Sequence, residues 1–87
     1  MSEQKLKEVG TVTHFFSKIS VAIVDLSDTI SVGARILIKG MTTSVEQTVD
    51  SMQIEHKDVQ KADAGLSIGL KVNDRVREGD TVYQILQ

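Results

Sequence analysis

The chain has 87 residues, 40% of them hydrophobic and 25% charged, which is the composition of one small globular domain. It contains no cysteine, so disulfides, thiolate nucleophiles and thiolate metal sites are excluded. The net charge of −2 and the presence of only one Tyr and two Phe argue against a generic nucleic-acid binder with a base-stacking platform.

The N-terminal half begins with a polar stretch and continues with β-prone runs. The stretch MSEQKLKEVG has no apolar signal-peptide region, and VAIV at 21–24 is too short to span a bilayer, so we expect a cytoplasmic protein. Residues 1–8 are predicted to be a flexible segment before a domain over 9–87. Within that domain, residues 9–16 are rich in β-branched and aromatic types, which predicts a strand. SKIS at 17–20 reads as a turn or bulge.

Further strands are predicted by apolar runs between turn residues. VAIVDL at 21–26 is apolar on both faces, which is typical of a central strand, and SDTISVG at 27–33 reads as a turn. The other predicted strands cover 34–40, 43–55, 66–72 and 81–86. HKDVQKADAG at 56–65 is predicted to be a loop with room for one helical turn.

The predicted strand at 43–55 changes phase along its length. Its apolar residues lie at odd positions first, Val45 and Val49, and then at even ones, Met52 and Ile54. A one-residue slip of this kind indicates a β-bulge, which we place at residues 50–51.

Three glycines have a similar relation to the strands that follow them. Gly33, Gly65 and Gly79 each stand three residues before an apolar residue that opens a strand, so we expect three similar corners. Ala64 is expected to be buried beside the Gly65 corner. In the strand after it, Ile68 and Leu70 are expected to face the core.

Six strands with no helix long enough to cover a sheet favour an all-β domain, a closed six-stranded antiparallel barrel. Its predicted core consists of Val12, Val21, Ile23, Val24, Ile36, Ile38, Val49, Met52, Ile54, Ile68, Leu70, Val72, Val82 and Ile85.

No catalytic or cofactor motif is visible in the chain. It has no phosphate-binding loop and no dinucleotide fingerprint, so it is not expected to be an enzyme, to use a cofactor or to bind GTP. The two histidines, His14 and His56, are interpreted as structural and not as metal ligands. Ser17 and Ser20 lack a nucleophile-elbow context and are interpreted as turn residues.

The segments ISVGARILIKG at 30–40 and KADAGLSIGLKV at 61–72, followed by VREGDTVYQI at 76–85, resemble the second domain of elongation factor Tu and its translational GTPase relatives. The resemblance covers residues 9–86 and implies a six-stranded antiparallel barrel. The chain also resembles stand-alone, short translation-factor-like proteins. A further resemblance is to the C-terminal barrel of collagenase-like peptidases that are linked to RNA modification.

The chain departs from the translation-factor pattern in two places. It has no GTPase domain, and Lys18, Ile19 and Ser20 replace the glycines of the family's first hairpin, which in the full-length factors lies near the aminoacyl end of tRNA. The segment VREGDTV also resembles biotinyl and lipoyl carrier domains. Gln53 stands where those carriers display their lysine, so their chemistry is not carried over.

The sequence therefore predicts a non-catalytic binding barrel that contacts RNA, tRNA or the translation machinery. The alternative is a protein–protein adaptor that supplies a barrel in trans to a peptidase-like or RNA-modification partner. Neither hypothesis includes a membrane partner. The candidate RNA- or partner-binding residues are Lys18, Lys71, Arg75 and Arg77. Lys39 is a further basic residue that can add positive charge to the same surface.

Overall fold

The computed structural model describes residues 5–86, and its regular structure in that range consists of β-strands alone. The strands are β1 (Leu6–Phe16), β2 (Val21–Leu26), β3 (Ile30–Ser31), β4 (Arg35–Lys39), β5 (Ser44–Thr48), β6 (Met52–Ile54), β7 (Lys57–Val59), β8 (Lys61–Ala62), β9 (Ser67–Lys71) and β10 (Thr81–Ile85). No helix in residues 5–86 is long and apolar enough to cross a membrane.

Eight of the strands form one antiparallel sheet in the order β5-β4-β10-β1-β2-β9-β6-β7, while β3 and β8 pair separately. The first strand, β1, lies at the centre and pairs with both β10 and β2. It carries two register shifts, one between Glu8 and Gly10 and one between Val12 and His14. Because bulges of this type bend a strand and increase its twist, they help the sheet to curl around its core.

The connection between β5 and β6 shows that the sheet is rolled. Only residues 49–51 join these strands, and four chain steps span at most about 14 Å. In a flat sheet β5 and β6 would be six strand spacings apart, or about 29 Å. The two ends of the sheet must therefore lie close together in space.

The prediction of a closed six-stranded barrel is corrected in two respects. Residues 5–86 form ten short strands, and within this range no backbone ladder joins β5 to β6 or β7. A side chain instead links β5 to the end of β9 and the loop that follows it. The Nε2 of Gln47 donates to Lys71 O at 3.0 Å, and its Oε1 accepts from Asn73 N at 2.8 Å.

The phase change at 43–55 marks a change of strand partner. The chain pairs with β4 as far as Thr48 and with β9 from Met52, so residues 49–51 cross from one side of the rolled sheet to the other. In this gap Val49 N donates to Ala34 O at 2.8 Å and Lys71 N donates to Ser51 O at 3.4 Å. The predicted bulge is therefore a break between two strands.

Two other boundaries differ from the sequence-based expectation. Residues 57–59 and 61–62 are strands, so the prediction of a loop with a helical turn at 56–65 was wrong. The strand β1 begins at Leu6 and pairs there with Ile85, so the structured region starts before the predicted boundary at residue 9. Residues 1–4 of the predicted flexible segment, and residue 87, lie outside the described residues.

The core is built from alternating residues of the strands, together with Val49, Val72 and Val76 from the connections between them. Its buried hydrophobic members are Val9, Val12, Ala22, Val24, Leu26, Ile30, Ile36, Ile38, Val45, Val49, Met52, Ala62, Ile68, Leu70, Val72, Val76 and Val82. Of the predicted core, Val21, Ile23, Ile54 and Ile85 are only half-buried. For Val21 and Ile23 the reason is strand alternation, because their neighbours Ala22 and Val24 occupy the inward face of β2.

Candidate functional site

The outer face of the rolled sheet carries a row of residues from five strands. In register, His14 of β1 pairs with Ile23 of β2, Ile23 with Gly69 of β9, Gly69 with Gln53 of β6, and Gln53 with Asp58 of β7. Since paired residues of neighbouring strands share a face, these five residues lie side by side on the outside. Gly69 leaves a gap in the middle of the row.

This gap is the floor of a groove of about 350 Å³, which we call the outer groove. One wall is apolar and the other is polar. The apolar wall consists of Phe16, Ile19, Val21 and Ile23, and the polar wall consists of Gln53, Glu55, His56 and Ser67. Phe16 is 44% exposed and Ile19 is 58% exposed, so the apolar wall faces solvent.

A two-residue hairpin loop between β6 and β7 supplies part of the polar wall. Glu55 and His56 have φ values of 51° and 66°, as a type I′ loop requires at both central positions. Glycine and asparagine favour this conformation, whereas other L-residues are strained in it by about 1–3 kcal/mol each. Despite this strain, the loop places a carboxylate and an imidazole beside the groove.

Two more carboxylates are bonded to residues of the polar wall. Ser67 Oγ donates to Asp25 Oδ1 at 2.5 Å, and Gln53 Nε2 donates to Asp58 Oδ1 at 3.0 Å. Together with Glu55 they give this side of the groove a negative character.

The basic residues predicted as a binding site converge beside the turn at 17–20, next to the end of the outer groove that Ile19 lines. Lys71 Nζ donates to Ile19 O at 2.9 Å, which places its ammonium group against the turn that contains Lys18. Arg75 lines a shallow cavity with Ser17 and Ser20 of the same turn.

Arg75 and Arg77 also line a cavity together beside the β4–β5 connection at 40–43, so both arginines belong to the same end of the sheet. Lys39 precedes that connection at the end of β4. We call Lys18, Lys39, Lys71, Arg75 and Arg77 the basic end. The acidic neighbours Asp74 and Glu78 lie in the same loop and lower its net charge.

The three glycines at the expected corners share one backbone conformation. Gly33, Gly65 and Gly79 have φ values of 95°, 91° and 91°, and a Cβ at any of them would meet no atom within 4 Å. The cost of a side chain there would thus come from the backbone conformation alone. The expected burial of Ala64 was wrong, because Ala64 is exposed and Ala62 is the buried alanine of this segment.

The histidines do not come together. His14 Nδ1 lies 3.7 Å from Glu78 Oε1, and its ring lies 5.0 Å from that of Phe16, whereas His56 is in the β6–β7 hairpin. Within residues 5–86 no group of three His, Asp or Glu side chains is arranged to hold a metal ion. Ser17 and Ser20 lie in the turn between β1 and β2, as expected.

Sequence reasoning did not find the outer groove. Its residues come from separate parts of the chain, and Val21 and Ile23 were assigned to the core because β2 is apolar on both faces. One signal was available. Gly69 interrupts the strand pattern, and glycine inside a strand often marks a close approach of a ligand or another backbone.

No protein-family model matches the chain. A Methanocaldococcus jannaschii protein named as an uncharacterized protease is 48% identical over 83 residues, which cover 94% of this chain and 20% of that protein. Collagenase from Porphyromonas gingivalis is 35% identical over 78 residues, covering 87% of this chain and 22% of the collagenase. The same enzyme from strain W83 is 35% identical over 78 residues, with 19% of its length covered. The chain thus spans about a fifth of the length of these curated relatives.

Among solved structures, the C-terminal domain of a Geobacillus thermoleovorans protein assigned to the U32 peptidases has the same fold. It superposes with a TM-score of 0.84 over 90% of this chain and 91% of that domain, at 14% sequence identity. Its selenomethionine variant superposes with a TM-score of 0.82, covering 87% of this chain and 96% of the other at 14% identity. The shared feature at this identity is the fold.

Proposed function

We propose that this chain is a non-catalytic accessory domain of the U32 peptidase and collagenase-like type, and that it binds the catalytic portion of such a protein. The observation that carries the proposal is the match to the M. jannaschii protein, which involves 94% of this chain but 20% of the relative. In such a relative, a domain of this type accompanies a much larger remainder. The proposal corresponds to the adaptor alternative and applies to a partner in the same polypeptide or in a separate one.

The exposed surface supports a protein partner. The apolar wall of the outer groove presents Phe16 and Ile19 to solvent beside half-buried Val21 and Ile23, all on neighbouring positions. Contiguous exposed apolar groups of this kind mark interaction surfaces.

A binding experiment with the M. jannaschii relative tests the proposal. The relative is prepared at full length and without the 83 residues that match this chain. We expect this chain to form a one-to-one complex with the truncated relative in size-exclusion chromatography with light scattering. The full-length relative, whose own domain occupies the same surface, should bind much less. If the truncated relative is folded and does not bind, the proposal is wrong.

RNA binding is the second candidate, and the convergence of the basic residues favours it. Lys18, Lys71 and Arg75 lie around one turn at the basic end, where phosphate groups can be contacted together. The same chromatography after RNase treatment separates the two candidates. A complex that survives RNase is held by protein contacts, and a complex that dissociates is held by RNA.

A further inference from the structure

We infer that the outer groove binds an extended protein segment in which a large apolar side chain lies next to a lysine or arginine. This inference deepens the proposed function and rests on it for the source of the segment, which is the catalytic portion of the partner. The apolar side chain lies over Gly69 against Ile23 and Phe16, and the basic side chain lies against Glu55.

Gly69 leaves the floor of the groove without a side chain, although the fold has room for one at this position. The φ of Gly69 lies outside the left-handed region, and an added Cβ would be 3.5 Å from Val21 Cγ1 and 3.9 Å from Gln53 O, which are ordinary contacts. A glycine in a strand loses more conformational freedom on folding than alanine does. The glycine at position 69 therefore costs stability, and no steric conflict in the fold requires it. A bound group that lies on Gly69 explains why the position has no side chain.

The polar wall provides a second, independent observation. Glu55 and His56 both adopt positive φ in a loop where asparagine and glycine are favoured. Strained residues of this kind concentrate at ligand-contacting sites. The strained loop places Glu55 at the groove. It therefore provides a negative charge there, which an unstrained Asn-Gly loop would not provide.

The charges around the polar wall select a cationic partner. Glu55 lines this wall, and the carboxylates of Asp25 and Asp58 accept hydrogen bonds from Ser67 and Gln53 of the wall, so two further negative charges lie next to it.

The lysines of β7 and β9 are held away from these carboxylates. The lysine of the hairpin, Lys57, pairs with Ile54, which packs against the core, so Lys57 belongs to the opposite face of the hairpin. Lys71 donates to Ile19 O at the other end of the groove. His56 adds a positive charge only when its imidazole is protonated. A phosphate backbone would be repelled by this wall, whereas lysine or arginine forms charge-assisted hydrogen bonds with it.

The size of the groove limits the occupant to side chains. About 350 Å³ is near the lower limit of small-molecule sites and has room for one or two side chains but not for a helix. An extended segment places neighbouring side chains along such a groove, one against the apolar wall and the other against the polar wall.

Nuclear magnetic resonance titration of the whole chain with three synthetic peptides tests the inference. The peptides are acetylated and amidated Gly-Ser-Leu-Arg-Ser-Gly, its Arg→Glu version and its Leu→Ser version. We expect the first peptide to produce saturable shifts of the Ile23, Gln53 and Gly69 amides. The other two should bind at least tenfold more weakly. Equal affinity of the Arg→Glu peptide would overturn the charge assignment.

Two variants and one control assign the effect to the groove. Gly69→Leu fills the floor and should abolish the shifts, and Glu55→Gln should weaken binding by roughly tenfold, a common loss for one charge-assisted hydrogen bond. Glu8→Gln is the matched control, because Glu8 is exposed on β1 and does not line the groove. It should bind as the unchanged chain does. The amide spectrum of each variant shows whether it is folded, and Glu55→Gln tests the inference even if Gly69→Leu does not fold.

Failure of the inference and failure of the proposed function give different results. If the truncated M. jannaschii relative binds Gly69→Leu and Glu55→Gln as well as the unchanged chain, the domain has its partner but the groove is not the contact. If the Leu-Arg peptide binds the groove and the relative does not bind, the groove chemistry holds and the partner is wrong. If no peptide produces shifts and the relative does not bind, both are wrong.

Discussion

Gly10 and Gly69 both lie inside strands, but the space beside them differs. A Cβ at Gly10 would be 2.7 Å from Val24 Cγ1 and 2.8 Å from Asp25 O, whereas a Cβ at Gly69 would make ordinary contacts. We expect Gly10→Ala to destabilise the domain by about 1–3 kcal/mol, because a backbone oxygen must move. Gly69→Ala should be neutral or stabilise by about 0.4–1 kcal/mol. Urea unfolding of both variants measures the difference, and a loss of stability in Gly69→Ala would mean that the fold itself requires this glycine.

Asp28 gives a prediction on pH at the same scale. Its pKa is lowered by the hydrogen bond from Lys7, whose Nζ lies 2.8 Å from Oδ2, and by the Thr29 N–H. A lowered folded-state pKa means that this contribution to stability is present above the ordinary carboxyl value of 3.8 and is lost as the pH falls through the lower folded-state value. Asp28→Asn should thus be less stable than the unchanged chain at pH 7. The difference should shrink in unfolding curves measured at decreasing pH below 3.8, and a difference that is the same at every pH would contradict the assignment.

At the scale of elements, Gln47 links strand β5 to Lys71 at the end of β9 and to Asn73 beyond it. Its side chain is 2% exposed and bonds Lys71 O and Asn73 N across the gap in the backbone ladder. Gln47→Leu should destabilise the domain by about 1–3 kcal/mol, because it removes two hydrogen bonds and leaves the part-buried Lys71 carbonyl and Asn73 N–H without this partner. This is a large part of the total stability of a small domain. Gln60→Leu, at an exposed position, is the control and should change the unfolding free energy by less than about 0.5 kcal/mol. Equal effects of the two changes would show that this link does not stabilise the rolled sheet.

The β6–β7 hairpin gives a second prediction for an element. Replacing Glu55 with Asn and His56 with Gly supplies the residues that a type I′ loop favours, so the domain should gain about 1 kcal/mol or more. The thermal unfolding midpoint measures the gain. His56→Ala alone keeps an L-residue at positive φ and should give no gain. If the Asn-Gly variant is no more stable than the unchanged chain, the loop is not strained.

At the scale of the whole molecule, the basic end is the candidate contact surface for polyanions. If the domain binds RNA, neutralising Lys18 and Arg75 together should weaken binding to many sequences alike and reduce the salt dependence by about one log unit per lost phosphate contact. Filter binding at several salt concentrations provides the measurement, and Lys61→Gln, outside the basic end, provides a control. Binding that is insensitive to salt would show that these residues do not contact phosphate groups.

We also expect that this chain alone does not bind GTP, and this expectation stays a prediction.

The local features of this domain were predictable from its sequence. The alternation of Ile68, Leu70 and Val72 defines an inward face, and glycines before apolar runs indicate corners, which have positive φ at Gly33, Gly65 and Gly79. Both signals depend on residues within one turn or one strand. The phase change at 43–55 was also visible, but its meaning depended on which strand each half pairs with.

The tertiary structure alone decided which distant residues meet. The register of β1, β2, β9 and β6 places Phe16, Ile23, Gly69 and Gln53 around one groove, although up to 53 positions separate them in the chain. The rolling of the sheet likewise brings Gln47 against Lys71 and Asn73. Periodicity shows which face of a strand a residue is on, but not which strand lies beside it, because pairing is set by the packing of the whole core. The groove is a product of that pairing.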